Sequence, residues 1–177
     1  MKPQYYIGLM PKMTQELCTF VQQCSDLACY PQIRLPLHTT VYFLGTMSSY
    51  DKERVLTICE QIPLYNVRAK VTSVGYFGVP THTCYLGLES PEILQLHEGF
   101  QQCADIHQDA FEYVPHLSLF FPQQKLSEQD KRLIEQWGKK MRTIEFEYLY
   151  VGSVYEGGTT IEYKKYCLAY EGKTVVL

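Results

Sequence analysis

Two histidines in this sequence stand in matching company. His38 is followed by Thr39 and Thr40, and His116 by Leu117 and Ser118, so each imidazole has a hydroxyl two positions on. Residues i and i+2 of a strand share a face. Each segment would then present an imidazole and a hydroxyl side by side. Two such pairs facing one groove suit cleavage of a phosphodiester. One neutral imidazole takes a proton from the attacking water or hydroxyl, and the opposite imidazolium protonates the leaving oxygen. An ordinary histidine pKa of about 6.5 lets both forms exist near neutrality. Each role typically contributes about 10²–10⁴-fold. The hydroxyls of Thr40 and Ser118 can donate to non-bridging oxygens, where charge grows in the transition state. This chemistry needs no metal and no cofactor, and no P-loop, G-x-S-x-G or H-E-x-x-H signature is present.

The surroundings of the two histidines repeat as well. Residues 6–24, YIGLMPKMTQELCTFVQQC, align without gaps on residues 85–103, YLGLESPEILQLHEGFQQC, with seven of nineteen positions identical at an offset of 79. The segment Leu37–Phe43 aligns on Pro115–Phe121 at offset 78, Asp51-Lys52 on Asp130-Lys131 at 79, and Val74-Gly75 on Val151-Gly152 at 77. Ordered matches at a nearly constant offset indicate a duplicated unit.

One unit reads strand, helix, strand, helix, strand. Tyr5–Met10 reads as a strand, and Met13, Leu17, Val21 and Cys24 mark one face of a helix. Leu37–Leu44 is a strand closed by Gly45; Val55, Ile58, Cys59 and Ile62 mark a second helix stopped by Pro63; Val67–Tyr76 is a strand. The second unit repeats this order with Thr83–Leu88, a helix capped by Ser90 with Pro91 at its first position, His116–Phe121, and a helix opened by the pair Ser127 and Asp130. Phe146–Val151 and Ile161–Leu168 are the closing strands around Gly157-Gly158. The expected fold is α+β: one bilobal domain over residues 1–177, with two antiparallel sheets facing a central groove and helices outside. On strict alternation His38, Thr40 and Tyr42 share one face, as do His116, Ser118 and Phe120, while Phe43 and Phe121 point to the core.

Composition narrows the classes. Apolar residues make up 46% of the 177 and charged residues 20%, which suits a packed core. No run of eighteen apolar residues suggests a membrane span, and the opening MKPQYYIGLM lacks the regions of a signal peptide, so a cytoplasmic location is expected. The seven cysteines include no C-x-x-C, which argues against a zinc ribbon or a disulfide framework. A net charge of −3 disfavours a general grip on long nucleic acid.

With both motifs in place, the sequence resembles the two-histidine (2H) phosphoesterase superfamily. HTTVYFLG and YVPHLSLFF are similar to the motifs of its LigT-like branch, the RNA 2′,3′-cyclic phosphodiesterases also called 2′-5′ RNA ligases. Tyr5–Leu9, Gly75-Tyr76-Phe77, Tyr85–Leu88 and Val154–Gly158 have counterparts there. The resemblance implies a bilobal fold with a central groove, catalytic roles for His38 and His116, phosphate binding by Thr40 and Ser118, and hydrolysis of a cyclic phosphate by water without cofactor.

The sequence departs from that branch where it often carries arginines. After the second motif stands Phe120-Phe121-Pro122, and Glu156 is followed by Gly157. Arg34, Lys164 and Lys165 are the candidate substitutes. Tyr42, Tyr76, Phe77 and Phe120 are candidate stacking surfaces for a base. With few cations in the groove, a small cyclic nucleotide or an RNA end is the expected substrate, with no DNA or membrane partner and a monomeric state. The alternatives are a 2H enzyme that cleaves a cyclic oligonucleotide or 2′-5′-linked second messenger, and a non-catalytic nucleotide-binding module. Of the other histidines, His82 is expected in a loop after Val79-Pro80, with the groove as its alternative surroundings, and His97 and His107 in solvent. Cys103 and His107 are helix-spaced, but no further ligand converges on them for a metal.

Overall fold

The computed structural model describes residues 3–61, 67–78, 83–103, 112–154, 160–167 and 175–176. Strand β1 (Gln4–Pro11) leads into helix α1 (Gln15–Ser25), followed by β2 (Pro31–Ile33), β3 (Thr39–Gly45), α2 (Ser49–Gln61) and β4 (Arg68–Phe77). The second half runs β5 (Thr83–Glu89), α3 (Pro91–Cys103), β6 (His116–Pro122), α4 (Glu128–Gly138), β7 (Thr143–Val154), β8 (Thr160–Cys167) and β9 (Val175–Val176).

The helices begin where their caps dictate. Thr14 Oγ1 accepts the Leu17 N–H at 3.3 Å, so α1 starts after Met13, which is left 49% exposed instead of joining the apolar stripe. Leu17, Phe20 and Cys24 form the buried face. Ser90 Oγ accepts from the Ile93 N–H at 3.3 Å ahead of Pro91. Ser127 and Asp130 form a reciprocal capping box at α4, with bonds of 3.0 and 3.1 Å. The expected stop at Pro63 lies outside the described residues.

The fold is α+β, and its antiparallel strands form two groups, β3-β1-β7-β8-β9 and β2-β6-β5-β4, that β7 joins into one strand order. The strand order is β2-β6-β5-β4-β7-β1-β3, with β8 and β9 branching from β7. The cause is the length of β7. Its first residues, Thr143–Glu145, pair with Arg68–Lys70 of β4, and the rest of the strand pairs with β1 and β8.

The two repeats also interleave. β7 belongs to the second unit but pairs with β1 of the first along most of its length, while β4 of the first unit pairs with β5 of the second. Helix α3 of the second unit packs on β3, and α1 of the first packs on β2 and α4. Ile7, Leu9, Leu44 and Leu149 in one half of the sheet, Leu86 and Leu117 in the other, and Ile134 of α4 are 0–1% exposed and anchor the core. No described helix is long and apolar enough to cross a membrane.

Candidate active site

Each motif strand carries a bulge just beyond its hydroxyl residue. In β3, Thr40 pairs with Gly8 and Tyr42 with Ile7, so Val41 is the extra residue. In β6, Ser118 pairs with Tyr85 and Phe120 with Cys84, so Leu119 is the extra residue. A bulge of this kind shifts the alternation by one. Val41 and Tyr42 are consequently both buried, at 0% and 2% exposed, as are Leu119 and Phe120, at 2% and 0%. This corrects two expectations. Tyr42 packs in the core with its ring 5.6 Å from that of His97, and Phe120 is fully enclosed, so neither offers a face to a base. Phe43 and Phe121 turn to the Thr40 and Ser118 side instead, and both are half-buried.

The two imidazoles are held alike. Nδ1 of His38 lies 3.0 Å from the Pro36 carbonyl, and Nδ1 of His116 lies 2.8 Å from the Val114 carbonyl, each two residues upstream. A carbonyl only accepts, so each Nδ1 carries the hydrogen and each Nε2 is the nitrogen left for chemistry. Both rings rest on aromatic side chains from equivalent strands. Tyr6 of β1 stacks on His38 at 4.9 Å with 22° between planes. Tyr85 of β5 meets His116 edge-on at 5.5 Å, and Phe77 does so at 4.7 Å. Phe77 itself stacks on Tyr85 at 3.9 Å.

Glycines make room for these rings. Tyr6 lies opposite Gly152, Tyr150 opposite Gly8, and Tyr85 opposite Gly75. At the fourth equivalent place Ser73 lies opposite Gly87, so the first site has a tyrosine where the second has a small, exposed residue. Tyr150 meets His38 edge-on at 6.1 Å, and its hydroxyl lies 3.1 Å from that of Tyr6. His38 is therefore only 7% exposed, whereas His116 is half-buried.

Burial sets the electrostatics. Loss of solvent pulls the His38 pKa down to about 4; the Pro36 carbonyl opposes this, and the charges of Arg34 and His116 add to it. The His116 pKa is lowered chiefly by burial and further by Arg34. Arg34 thus acts on both imidazoles. Its backbone N–H donates to the Leu119 carbonyl at 2.8 Å, and its guanidinium lies 4.7 Å from the centre of the Phe121 ring. Burial lowers its own pKa, while Tyr6 and Tyr150 beside it raise it. A guanidinium remains charged through such changes.

Other expected residues fall elsewhere. The Tyr76 ring packs against the core and its buried hydroxyl has no hydrogen-bond partner among the described residues, so it does not serve as a stacking surface. Phe77 is 39% exposed, with its ring 4.7 Å from that of His116. His97 is half-buried, not in solvent: its Nδ1 lies 2.8 Å from the Val41 carbonyl. His82, His107, Glu156 and Gly157 lie outside the described residues, as do the side chains of Cys103, Lys164 and Lys165. Tyr6, Tyr85, Tyr150 and Phe121 were not among the expected site residues. The signal for Tyr6 and Tyr85 was present, since the repeat aligns both tyrosines and the glycines two positions after them.

The sequence profile of the 2′-5′ RNA ligase superfamily matches residues 14–150. The chain belongs to that superfamily, the 2H phosphoesterases. Solved structures agree in fold with this 2H phosphoesterase. TT0787 of Thermus thermophilus superposes with a TM-score of 0.67 at 15% identity, over 95% of this chain and 99% of that one. E. coli LigT, crystallised with 3′-AMP, superposes with a TM-score of 0.65 at 14% identity, over 95% and 99%. Usb1 of Kluyveromyces marxianus is more distant, with a TM-score of 0.54 at 8% identity, over 91% and 97%. A comparison with curated proteins finds no significant match.

Proposed function

We propose that this 2H phosphoesterase is a metal-independent phosphodiesterase that hydrolyses a 2′,3′-cyclic phosphate on a small nucleotide or an RNA end. The observation that carries the reading is the doubled imidazole geometry: two histidines, each tied through Nδ1 to a carbonyl two residues upstream, each with Nε2 left for a reacting group. One Nε2 takes a proton from water as its oxygen bonds to phosphorus. The other delivers a proton to the ribose oxygen as the P–O bond of the ring breaks. Thr40 and Ser118 donate hydrogen bonds to the non-bridging oxygens, and the Arg34 guanidinium balances their charge.

The electrostatics support an anionic substrate. With both histidine pKa values depressed, the free site holds two neutral imidazoles near pH 7. A bound phosphodiester offsets the Arg34 field and favours the one protonation that the reaction needs. Phe77, exposed beside His116, offers a face to the base. The 3′-AMP held by the LigT structure is a ligand of this chemical class.

The test is product analysis against 2′,3′-cyclic mononucleotides, cyclic-ended RNA, 2′-5′-linked oligonucleotides and cyclic dinucleotides. Turnover of the first two by the native protein, abolished by His38→Ala and by His116→Ala with circular dichroism unchanged, is the expected result. Full activity in either variant overturns the mechanism. Turnover confined to the last two substrates reassigns the enzyme to a signalling nucleotide, and binding without turnover across pH 4–8 reduces it to a binding module.

A further inference from the structure

The first motif strand has an open edge. Among the described residues β3 pairs with β1 alone and ends the strand order. A bulge on such an edge leaves backbone carbonyls that need partners. Two side chains from the second repeat supply them. The Tyr113 hydroxyl donates to the Thr40 carbonyl at 2.8 Å, and Nδ1 of His97 donates to the Val41 carbonyl at 2.8 Å. The donors brace one another, with rings stacked 3.9 Å apart and only 5° from parallel. His97 also meets Tyr42, the residue that the bulge turns inward.

The second motif strand is fastened at the equivalent place by different means. There the carbonyl of the bulge residue Leu119 receives the Arg34 N–H, and β2 covers the edge. Both bulges are thus closed by the opposite repeat, one through backbone and one through two side chains. A backbone closure survives most substitutions; the closure of β3 depends on His97 and Tyr113.

We propose that His97 and Tyr113 are positioning residues for the first motif: through the carbonyls of Val41 and Thr40 they fix the backbone at the bulge, and with it the adjoining residues His38 and Thr40, relative to the phosphodiester. Neither residue touches substrate. Their role rests on the reading of the groove given above, and it concerns geometry rather than proton transfer. A shift of about 1 Å at such a strand can cost on the order of 10²-fold in rate.

The experiment compares His97→Phe, which keeps the stack on Tyr113 but removes the donor, with His97→Asn, whose amide nitrogen lies near the place of Nδ1. Tyr113→Phe tests the second bond. For each full-length protein, kcat and KM are measured with 2′,3′-cyclic AMP, and the His38 ring and Thr40 amide NMR resonances are recorded without ligand. Melting curves confirm that each variant is folded at the assay temperature. The expected result is a roughly tenfold or greater fall in kcat for His97→Phe and Tyr113→Phe, with a smaller change in KM, displaced His38 and Thr40 resonances, and recovery in His97→Asn. Unchanged kcat and resonances, with only a lower melting temperature, overturn the proposal. If the native protein does not turn over the nucleotide, the reading of function fails; the resonances then decide the positioning role alone, supporting it if displaced and restored, overturning it if unmoved.

Discussion

The Tyr6 ring lies across Gly152 so closely that a Cβ at position 152 would stand 2.5 Å from Tyr6 Cζ. Gly75 holds the same relation to Tyr85, with a Cβ 2.3 Å from that ring's Cζ. Each glycine clears the space through which a tyrosine reaches its histidine. Gly152→Ala is expected to push Tyr6 off His38, and Gly75→Ala to push Tyr85 away from Phe77 and His116. Overpacking of this kind costs about 1–3 kcal/mol. Turnover should fall at least tenfold in each variant, a rough figure for misplaced reacting groups. Urea titration together with steady-state kinetics checks both effects, and normal kinetics in a destabilised protein would show that the rings play no part in the chemistry.

Thr39 and Thr40 are neighbours with opposite expectations. Thr39 is fully buried, and its hydroxyl has no hydrogen-bond partner among the described residues. Thr39→Val removes an unsatisfied polar group and should stabilise the protein by about 1 kcal/mol with activity retained. Thr40→Val removes a proposed phosphate donor and should lower kcat by about 10²-fold at similar stability. Side-by-side melting and rate measurements read the phase of the strand directly.

The depressed pKa values place the activity optimum on the acid side. The pH profile of kcat/KM reports the free enzyme, whose competent form has one imidazole neutral and one protonated. Its limbs should lie at about pH 4, for His38, and, for His116, on the acid side of an unperturbed imidazole. Arg34 lowers both, so Arg34→Gln should move the optimum toward higher pH while raising KM about tenfold. A profile with unchanged limbs in Arg34→Gln would remove Arg34 from the groove's electrostatics.

His38 also ties stability to pH. Its pKa is lower in the folded chain than in the unfolded one, so the unfolded chain binds more protons between about pH 6.5 and 4. Its contribution is intact above that window and is lost as pH falls through it. The loss amounts to about 3 kcal/mol at the acid end. Denaturant titrations at pH 7 and pH 4.5 should show a smaller acid loss in His38→Gln than in the native chain. Equal losses would mean that burial does not penalise the charged imidazole.

Much of this could be read from residue order because it is local. The two motifs, the Ser90 cap and the Ser127–Asp130 box each depend on residues within a few positions, and they appear as expected. What could not be read is non-local. Strict alternation put Tyr42 and Phe120 in the groove because nothing in the residue types marks Val41 or Leu119 as extra. β2 is only three residues long and carries no period. Arg34 stands near His38 in sequence, yet its backbone is bonded to β6, the strand of the other motif. The join between the two groups of strands depends on where β7 meets β4, which no periodicity encodes.

The interleaving of the repeats bears on how such a chain could arise. A half-length protein ending after β4 would contain a motif strand whose sheet lacks β7 and whose edge lacks His97 and Tyr113. Its α1 would have no α4 to rest on. It could complete this architecture only as two copies exchanging their last strand and first helix. On this geometry a single-unit form would be an exchanged homodimer with one identical motif histidine in each copy. Fusion of such a pair would leave its two halves free to differ, as Tyr150 and Ser73 do at equivalent places.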